Sequence, residues 1–130
     1  MTAVVDTSVL IDYLRGHPGA GELLERERAR APLHASEITR LEVLAGMRAA
    51  EESATRSLLS TFIWHPVDDD IAERAGALGR HWLPSHRSID GADLAIAATV
   101  LQADARLLTR NVKHFPMFVG LESPYLDGPE

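Results

Sequence analysis

Short runs of hydrophobic residues alternate along the chain with longer stretches in which apolar residues recur every three or four positions. The short runs predict strands around Val4 and Val5 and within residues 31–36, 63–67 and 106–109. The longer stretches predict helices that bury one side. Because each short strand is followed by a helical crossover, the sequence predicts an α/β fold: three layers, α/β/α, with a short central parallel sheet flanked by helices.

The helices are predicted from apolar periodicity and from their capping residues. In the first helix Thr7 or Ser8 is the expected cap, and Gly16 and Pro18 are expected to end it. In the helix that starts near Ser36 or Thr39, the apolar side is predicted to consist of Ile38, Leu41, Leu44 and Ala45. The other helices are predicted at about 21–30, 53–62, 67–83 and 88–105.

Length and composition narrow the possible classes of protein. The 130 residues, 45% of them hydrophobic, predict a single domain over 1–130, with a loosely ordered tail at about 121–130. There is no cysteine, no signal-like start and no apolar run of about 20 residues, so we expect a cytoplasmic protein without a membrane anchor. The net charge of −6 disfavours a generally basic nucleic-acid surface, so a polyanion would need a local basic patch or a bridging cation.

Two carboxylates are candidates because of where they fall on the predicted elements. Asp6 follows the first strand, and ligands of parallel sheets bind at the carboxyl ends of strands. Asp6 is equally placed to cap the helix that follows. Glu42 lies in the helical sequence TRLEVLAG, where it is either a functional carboxylate or an ordinary helix charge that pairs with Thr39.

A second group of polar residues lies near the end of the chain. Asp90 and Asp93 are three residues apart, on the same side of a helix, and the alternative is that they are its N-cap and N3 residues. Thr109 and Asn111 follow the last strand, where they are either site residues or ordinary turn residues. Taken together, the carboxylates are hard oxygen ligands suited to Mg²⁺ or Mn²⁺.

Three segments of the chain resemble one known family in the family's own order. They are VVDTSVLIDYL, ITRLEVLAGM and DLAIAATVLQADARLLTRNVKHF, and the last is the most specific. The chain is similar over nearly its whole length to the PIN domain, and within it to the VapC toxins of bacterial VapBC toxin–antitoxin systems.

The resemblance implies a magnesium-dependent endoribonuclease, with Mn²⁺ as a possible substitute, that cleaves RNA by a metal-activated water. Asp6, Glu42 and Asp93 match the family's acidic metal-binding residues, with Asp90 as an extra carboxylate within reach. Glu42 is expected to orient the water or act as its general base, and Thr109 and Asn111 are expected to support the site. Where the family often has a further aspartate, this chain has Asn111 and His114, which weakens the case for a second metal.

The resemblance also implies three kinds of partner: an RNA substrate, a VapB-type antitoxin, and a second copy of the chain in a homodimer and in toxin–antitoxin hetero-oligomers. The arginines and lysine expected to hold the RNA backbone are Arg15, Arg40, Arg110 and Lys113, with Arg48 and Arg87 as further candidates. A groove for the antitoxin is predicted from Leu10, Leu14, Leu44 and Met47, which are otherwise core residues.

Other classes of function fit the sequence less well. A receiver-like signalling domain needs an aspartate at the end of its third strand and a lysine at the end of a later one, and neither is present. A phosphatase of the haloacid-dehalogenase type expects a second aspartate where Ser8 stands. Zinc catalysis through His81 and His86 is disfavoured by their spacing and by Pro84 between them. A catalytically silent PIN-like binding module stays open as an alternative.

Overall fold

A four-stranded parallel sheet lies at the centre of the computed structural model, which describes residues 1–126. The strands are β1 (Ala3–Val5), β2 (Leu33–Ser36), β3 (Phe62–His65) and β4 (Arg106–Leu108), and their order across the sheet is β3-β2-β1-β4. The helices are α1 (Thr7–Leu14), α2 (Pro18–Arg28), α3 (Glu37–Ala45), α4 (Glu52–Leu59), α5 (Asp69–Trp82) and α6 (Gly91–Ala103). The predicted α/β fold with a short parallel sheet is confirmed.

Helices cover both faces of the sheet because the side chains of each strand alternate between the faces. Val5 packs with residues of α1, α2 and α4 in one hydrophobic cluster, whereas Val4 packs with Ile96 and Ala97 of α6 in a second cluster. A third cluster joins Ile71 of α5 to α6. The sheet is therefore the middle of three layers, as the sequence predicted.

Three of the strands end at polar residues along one edge of the sheet. Asp6 follows β1, Ser36 ends β2 and Thr109 follows β4. The backbone N–H of Asp6 donates to the carbonyl oxygen of Leu108 at 2.9 Å, so Asp6 and Thr109 begin the same edge on neighbouring strands. All three residues are buried. Parallel strands thus bring together polar residues that lie far apart in sequence.

Several element boundaries differ from the prediction. Pro18 does not end the first helix; it occupies the first turn of α2, where a residue without an N–H costs no hydrogen bond. The third strand was predicted over 63–67 and instead begins at Phe62 and ends at His65, before Pro66. Of the caps that the sequence offered for α1, the structure has Asp6 and not Thr7 or Ser8.

The predicted buried side of α3 is only partly right, because Ile38 and Leu44 pack against the core but Leu41 and Ala45 are exposed. Leu41 is 59% exposed, whereas Thr39 and Val43 are buried. The helix is therefore rotated relative to the apolar stripe read from its sequence. This rotation places Glu42, next to Val43, in a half-buried position that faces α1.

The end of the described chain docks on the α1–α2 turn. The Tyr125 hydroxyl donates to Asp12 at 2.8 Å, and the Tyr125 ring lies 4.9 Å from that of His17. A side chain at Gly19 would collide with the Tyr125 ring, so glycine permits this contact. Of the predicted loose tail, residues 127–130 lie outside the described residues. Across residues 1–126, no helix has both the length and the apolar character needed to span a bilayer.

Candidate active site

Asp6 is held at the sheet edge by hydroxyl groups. The carboxylate is 3% exposed, and its Oδ2 accepts hydrogen bonds from the hydroxyls of Ser8 and Thr109, each at 2.7 Å. The backbone N–H of Ser8 also donates to Oδ2, at 3.4 Å, so Asp6 is the N-cap of α1. Capping and placement at the strand edge, which the sequence left as alternatives, occur together.

Glu42 is held by the residue that follows Asp6. The Thr7 hydroxyl donates to Glu42 Oε1 at 2.6 Å and lies 3.0 Å from the hydroxyl of Thr39. Thr7 and Thr39 are both buried. Thr39 is one turn before Glu42, as the capping-box alternative required. The side chains of both residues contact the Thr7 hydroxyl of α1, however, and do not form a capping box within α3. The adjacent residues Asp6 and Thr7 thus connect the sheet edge to Glu42.

Asp90 and Asp93 form a capping box at the start of α6. Asp90 Oδ1 accepts from the backbone N–H of Asp93 at 2.9 Å, and Asp93 Oδ2 accepts from that of Asp90 at 3.1 Å. The helix-capping alternative is therefore observed for both residues. His114 Nδ1 lies 3.1 Å from Asp93 Oδ2, which ties the start of α6 to the segment after β4.

Burial perturbs the protonation equilibrium of Asp93. Burial, which disfavours the ionised form, is the main cause that raises the pKa of Asp93 to about 6, and the nearby Asp90 adds to the shift. The hydrogen bond from the Asp90 backbone and the proximity of His114 act in the opposite direction. A buried carboxylate with a raised pKa is a candidate for a functional site.

In each of the three candidate carboxylates, only one of the two oxygens has a hydrogen-bond or ion-pair partner among the described residues. Within residues 1–126, all the hydrogen bonds and ion pairs of Asp6 and Asp93 fall on Oδ2, and those of Glu42 fall on Oε1. One oxygen of each carboxylate therefore keeps its capacity for a further partner. Carboxylate oxygens of this kind suit a hard divalent cation, so the donor chemistry fits Mg²⁺.

The described residues contain no group of three or more His, Cys, Asp or Glu side chains close enough to hold one metal ion. That arrangement does not favour a closed protein cage. Mg²⁺ in proteins usually binds one or two carboxylates and completes its shell with water and substrate phosphate, so it does not require such a group. His81 and His86, the pair weighed for zinc, flank Trp82 at ring distances of 4.9 and 5.4 Å.

Thr109 and Asn111 differ in what they contribute. The Thr109 hydroxyl is fully buried and accepts from the backbone N–H of Asn111 at 2.9 Å while it donates to Asp6. The Asn111 side chain is exposed. Thr109 therefore orients a carboxylate, whereas the contact that Asn111 makes here comes from its backbone.

The predicted RNA-binding cations fall into two groups. Arg40 pairs with Glu37 at 2.6 Å and stacks 4.2 Å from the Trp64 ring, and Arg110 pairs with Asp12 at 2.6 Å. Arg15 and Lys113 are exposed and form no ion pair within residues 1–126; Arg48 and Arg87 are exposed as well. Arg15 lines a cleft that also contains Glu42, Met47 and Arg48.

Sequence reasoning missed the hydroxyls that orient the carboxylates. The sequence indicates Thr7 and Ser8 as helix caps, and Thr39 as a helix start or a partner of Glu42. The sequence signal that was available is the run of Asp6 with two hydroxyl residues directly after it, because a hydroxyl beside a buried carboxylate is a ready donor. The antitoxin groove also needs correction, since Leu10 is fully buried and belongs to the core.

Comparisons with known proteins identify the family of the chain. The PIN domain family matches residues 3–116. The ribonuclease VapC19 of Mycobacterium tuberculosis is 46% identical over 123 residues, which cover 94% of this chain and 98% of the relative. Ribonuclease VapC10 of the same organism is 41% identical over 122 residues, covering 94% and 92%.

A solved structure gives the same result in three dimensions. A toxin–antitoxin complex from Klebsiella pneumoniae contains a chain that is 36% identical, with a TM-score of 0.80, and the match covers 95% of this chain and 98% of that one. The sheet order, the carboxylates at its edge and these similarities lead to one assignment: the chain belongs to the PIN domain family.

Proposed function

We propose that this protein is a VapC-type toxin: a magnesium-dependent endoribonuclease that hydrolyses RNA phosphodiester bonds. Two relatives more than 40% identical over nearly the whole chain are ribonucleases. The observation in the chain itself that carries the proposal is the trio Asp6, Glu42 and Asp93, each with one oxygen fixed by the fold and the other open.

The roles of the carboxylates follow from how each is held. We assign Asp6 and Asp93 to binding Mg²⁺ through their open oxygens, with Asp90 as the cap that fixes Asp93. When bound, Mg²⁺ or its substitute Mn²⁺ supplies a Lewis acid that activates water and offsets charge on the phosphate. Glu42, whose Oε1 is fixed by Thr7, is assigned to orient the attacking water and to accept its proton at Oε2.

The donor set favours one metal ion over two. Asn111 brings no charge, and its side chain is exposed, so the position where the family resemblance implies a further aspartate adds no carboxylate here. His114 lies against Asp93, where its imidazole moderates the negative charge. We therefore propose a single Mg²⁺ whose remaining ligands are water and RNA phosphate.

The cations best suited to hold the RNA backbone are those that the fold leaves exposed. Arg15 lies in the cleft beside Glu42, and Lys113 follows β4. Arg40 and Arg110 are already paired with carboxylates, so binding a phosphate would require each to leave its partner. We assign Arg15 and Lys113 to RNA and give Arg40 and Arg110 a mainly structural role.

We also propose that the chain acts with a VapB-type antitoxin and forms a homodimer. The Klebsiella match is a toxin–antitoxin complex, and other solved matches include VapBC complexes from several bacteria. The cleft that contains Glu42 is lined by Leu14, Val43 and Met47, so an antitoxin segment that filled it would cover the site.

A receiver-like signalling function is disfavoured by topology. Receiver domains have the doubly wound strand order 2-1-3-4-5, in which β1 lies between β2 and β3. In this chain β1 lies between β2 and β4. A silent PIN-like binding module is a weaker proposal, because Asp6, Glu42 and Asp93 are all present and oriented.

The test is cleavage of a labelled total-RNA pool by the purified protein, with Mg²⁺ and with EDTA. The test variant is Asp6→Asn, which keeps the size of the side chain, and the control is Asp70→Asn, an exposed acid in the first turn of α5. We expect discrete fragments that need Mg²⁺, persist in the control and disappear in Asp6→Asn. Equal cleavage by the folded wild type and Asp6→Asn would reject the nuclease assignment.

A further inference from the structure

One of the basic stretches of this acidic chain lies outside the carboxylate site. Between Glu73 and Asp90 there is no acidic residue, although the whole chain has a net charge of −6. The cationic and titratable basic side chains in the stretch are those of Arg74, Arg80, His81, His86 and Arg87. Trp82, one of only two tryptophans in the protein, lies among them. Basic residues interleaved with aromatic rings are the composition of single-stranded nucleic-acid surfaces.

We call residues 80–88 the α5–α6 corner, because they comprise the last residues of α5 and the turn that leads to α6. Trp82 belongs to none of the three hydrophobic clusters found in residues 1–126, and its side chain is partly exposed. Two imidazoles meet the indole edge-on, that of His81 at 4.9 Å and that of His86 at 5.4 Å. Trp82 is therefore held by surface contacts rather than by burial in the core.

Local hydrogen bonds fix the shape of the corner. The backbone N–H of His86 donates to the Trp82 carbonyl oxygen at 2.9 Å, and His86 Nδ1 lies 2.8 Å from the Ser85 hydroxyl. Arg80 and Arg87 are both exposed and form no ion pair within residues 1–126. The corner thus presents a fixed aromatic group with an unpaired cation on each side of it in sequence.

The corner adjoins the candidate active site. The last turn of α5 packs on the first turn of α6, where Gly79 approaches Leu94 so closely that a Cβ on Gly79 would lie 3.2 Å from Leu94 Cδ1. Leu94 follows Asp93 directly. At the other end of the corner, buried Ile89 leads into Asp90, the cap of α6.

We propose that the α5–α6 corner binds single-stranded RNA next to the cleavage site. An unpaired base stacks on the exposed part of the Trp82 ring, and Arg80 and Arg87 contact the adjacent phosphates. The choice of RNA as the ligand rests on the proposed nuclease function. The corner would bind an RNA base, whereas the carboxylate centre acts only on the RNA backbone. Charge decides between partners, because a basic, aromatic surface on an acidic protein favours a polyanion with flat rings over an acidic protein.

The experiment uses Trp82 as its own reporter. In Trp64→Phe the remaining indole is Trp82, so its emission can be followed while a twelve-nucleotide single-stranded RNA of mixed sequence is added in EDTA, which keeps the RNA intact. We expect quenching that saturates. In the Trp64-containing protein, we expect Trp82→Ala to weaken binding of the same fluorescein-labelled RNA by about 5-fold to 100-fold, as for other stacked bases, and Trp82→Phe to recover most of it.

The two arginines are tested by salt dependence. Arg80→Gln with Arg87→Gln should lower the slope of log affinity against log salt by about 0.7 for each lost phosphate contact. The control is Arg26→Gln with Arg30→Gln, which removes the same charge from exposed positions at the end of α2 and should leave the slope nearly unchanged. Circular dichroism checks that each variant is folded.

Three results would overturn the inference: no quenching of Trp82 by the RNA, equal salt slopes for the two arginine pairs, or equal quenching by a polyglutamate peptide. The last would show a surface for acidic chains in general. Failure of the nuclease proposal is distinguishable, because it appears as absence of Mg²⁺-dependent cleavage by the wild type, whereas the fluorescence titration requires no cleavage.

Discussion

Removal of the Thr109 hydroxyl tests how strongly the sheet edge depends on the hydrogen bond to Asp6. Thr109 is fully buried, and its hydroxyl donates to Asp6 Oδ2 at 2.7 Å and accepts from the Asn111 backbone at 2.9 Å. Thr109→Val keeps the shape of the side chain and removes both bonds. Thr109→Ser keeps the hydroxyl and is expected to behave nearly as the wild type.

The expected cost follows from the kind of bond that is lost. A hydrogen bond to a charged group contributes about 1.5 to 3 kcal/mol, more than one between neutral groups. Asp6 keeps the bonds from Ser8, which limits the cost, so we expect a loss of about 2 kcal/mol. For a domain of this size that corresponds to a fall in Tm of roughly 6 to 10 °C.

The matched control is Thr99→Val. Thr99 is also buried, but its hydroxyl donates to the Ala95 carbonyl oxygen one turn earlier in the same helix, at 2.8 Å. That carbonyl keeps its helical partner, so the loss should be below about 1 kcal/mol. Urea denaturation in EDTA measures both variants. Equal destabilisation by the two substitutions would refute the argument that the charge of Asp6 makes the Thr109 bond strong.

Three further perturbations follow from the contacts described. Burial raises the pKa of Asp93 to about 6, so the folded chain holds a proton more tightly than the unfolded chain. The free energy of unfolding should therefore fall as the pH rises from about 4 to about 6. Urea denaturation in EDTA should show that Asp93→Asn reduces this fall. Glu27 is buried and pairs with Arg106 at 2.6 Å, and Glu27→Gln should cost about 1 to 2 kcal/mol, with a double-mutant cycle against Arg106→Gln to measure the coupling. Tyr125→Phe removes the bond to Asp12 and should cost about 1 kcal/mol in thermal denaturation, whereas Tyr125→Ala, which also removes the ring, should cost more.

The order of elements was predictable because it depends on local pattern. Short apolar runs separated by amphipathic stretches determined the strands, the helices and the parallel sheet, and the carboxyl-edge rule then placed Asp6 and Thr109 side by side. The rotation of α3 was not predictable in this way. Leu41 matched an apolar stripe, yet which side of a helix is buried depends on the neighbouring elements, and here α1 contacts the side that carries Thr39 and Glu42.

The partners of the arginines were equally beyond the reach of local pattern. Arg110 pairs with Asp12, 98 residues away, and Tyr125, which bonds the same carboxylate, is 113 residues from it. Arg40 stacks on Trp64 of β3, a contact set by the pairing of β3 with β2. An arginine close in sequence to a motif carboxylate is therefore not necessarily available to RNA, because its partner can come from any part of the fold.

The carboxylates of the site are oriented by hydroxyl groups rather than by arginine or lysine. Within residues 1–126, neither Asp6 nor Glu42 forms an ion pair, and the partner of Asp93 is an imidazole. A hydroxyl fixes the direction of a carboxylate but leaves its charge in place, whereas an arginine would neutralise it and occupy both oxygens. Carboxylates held in this way stay available to an external cation. Burial, the main cause of the raised pKa of Asp93, makes that carboxylate costly to ionise, and under the proposed function a bound Mg²⁺ would offset this cost before a phosphate approaches the sheet edge.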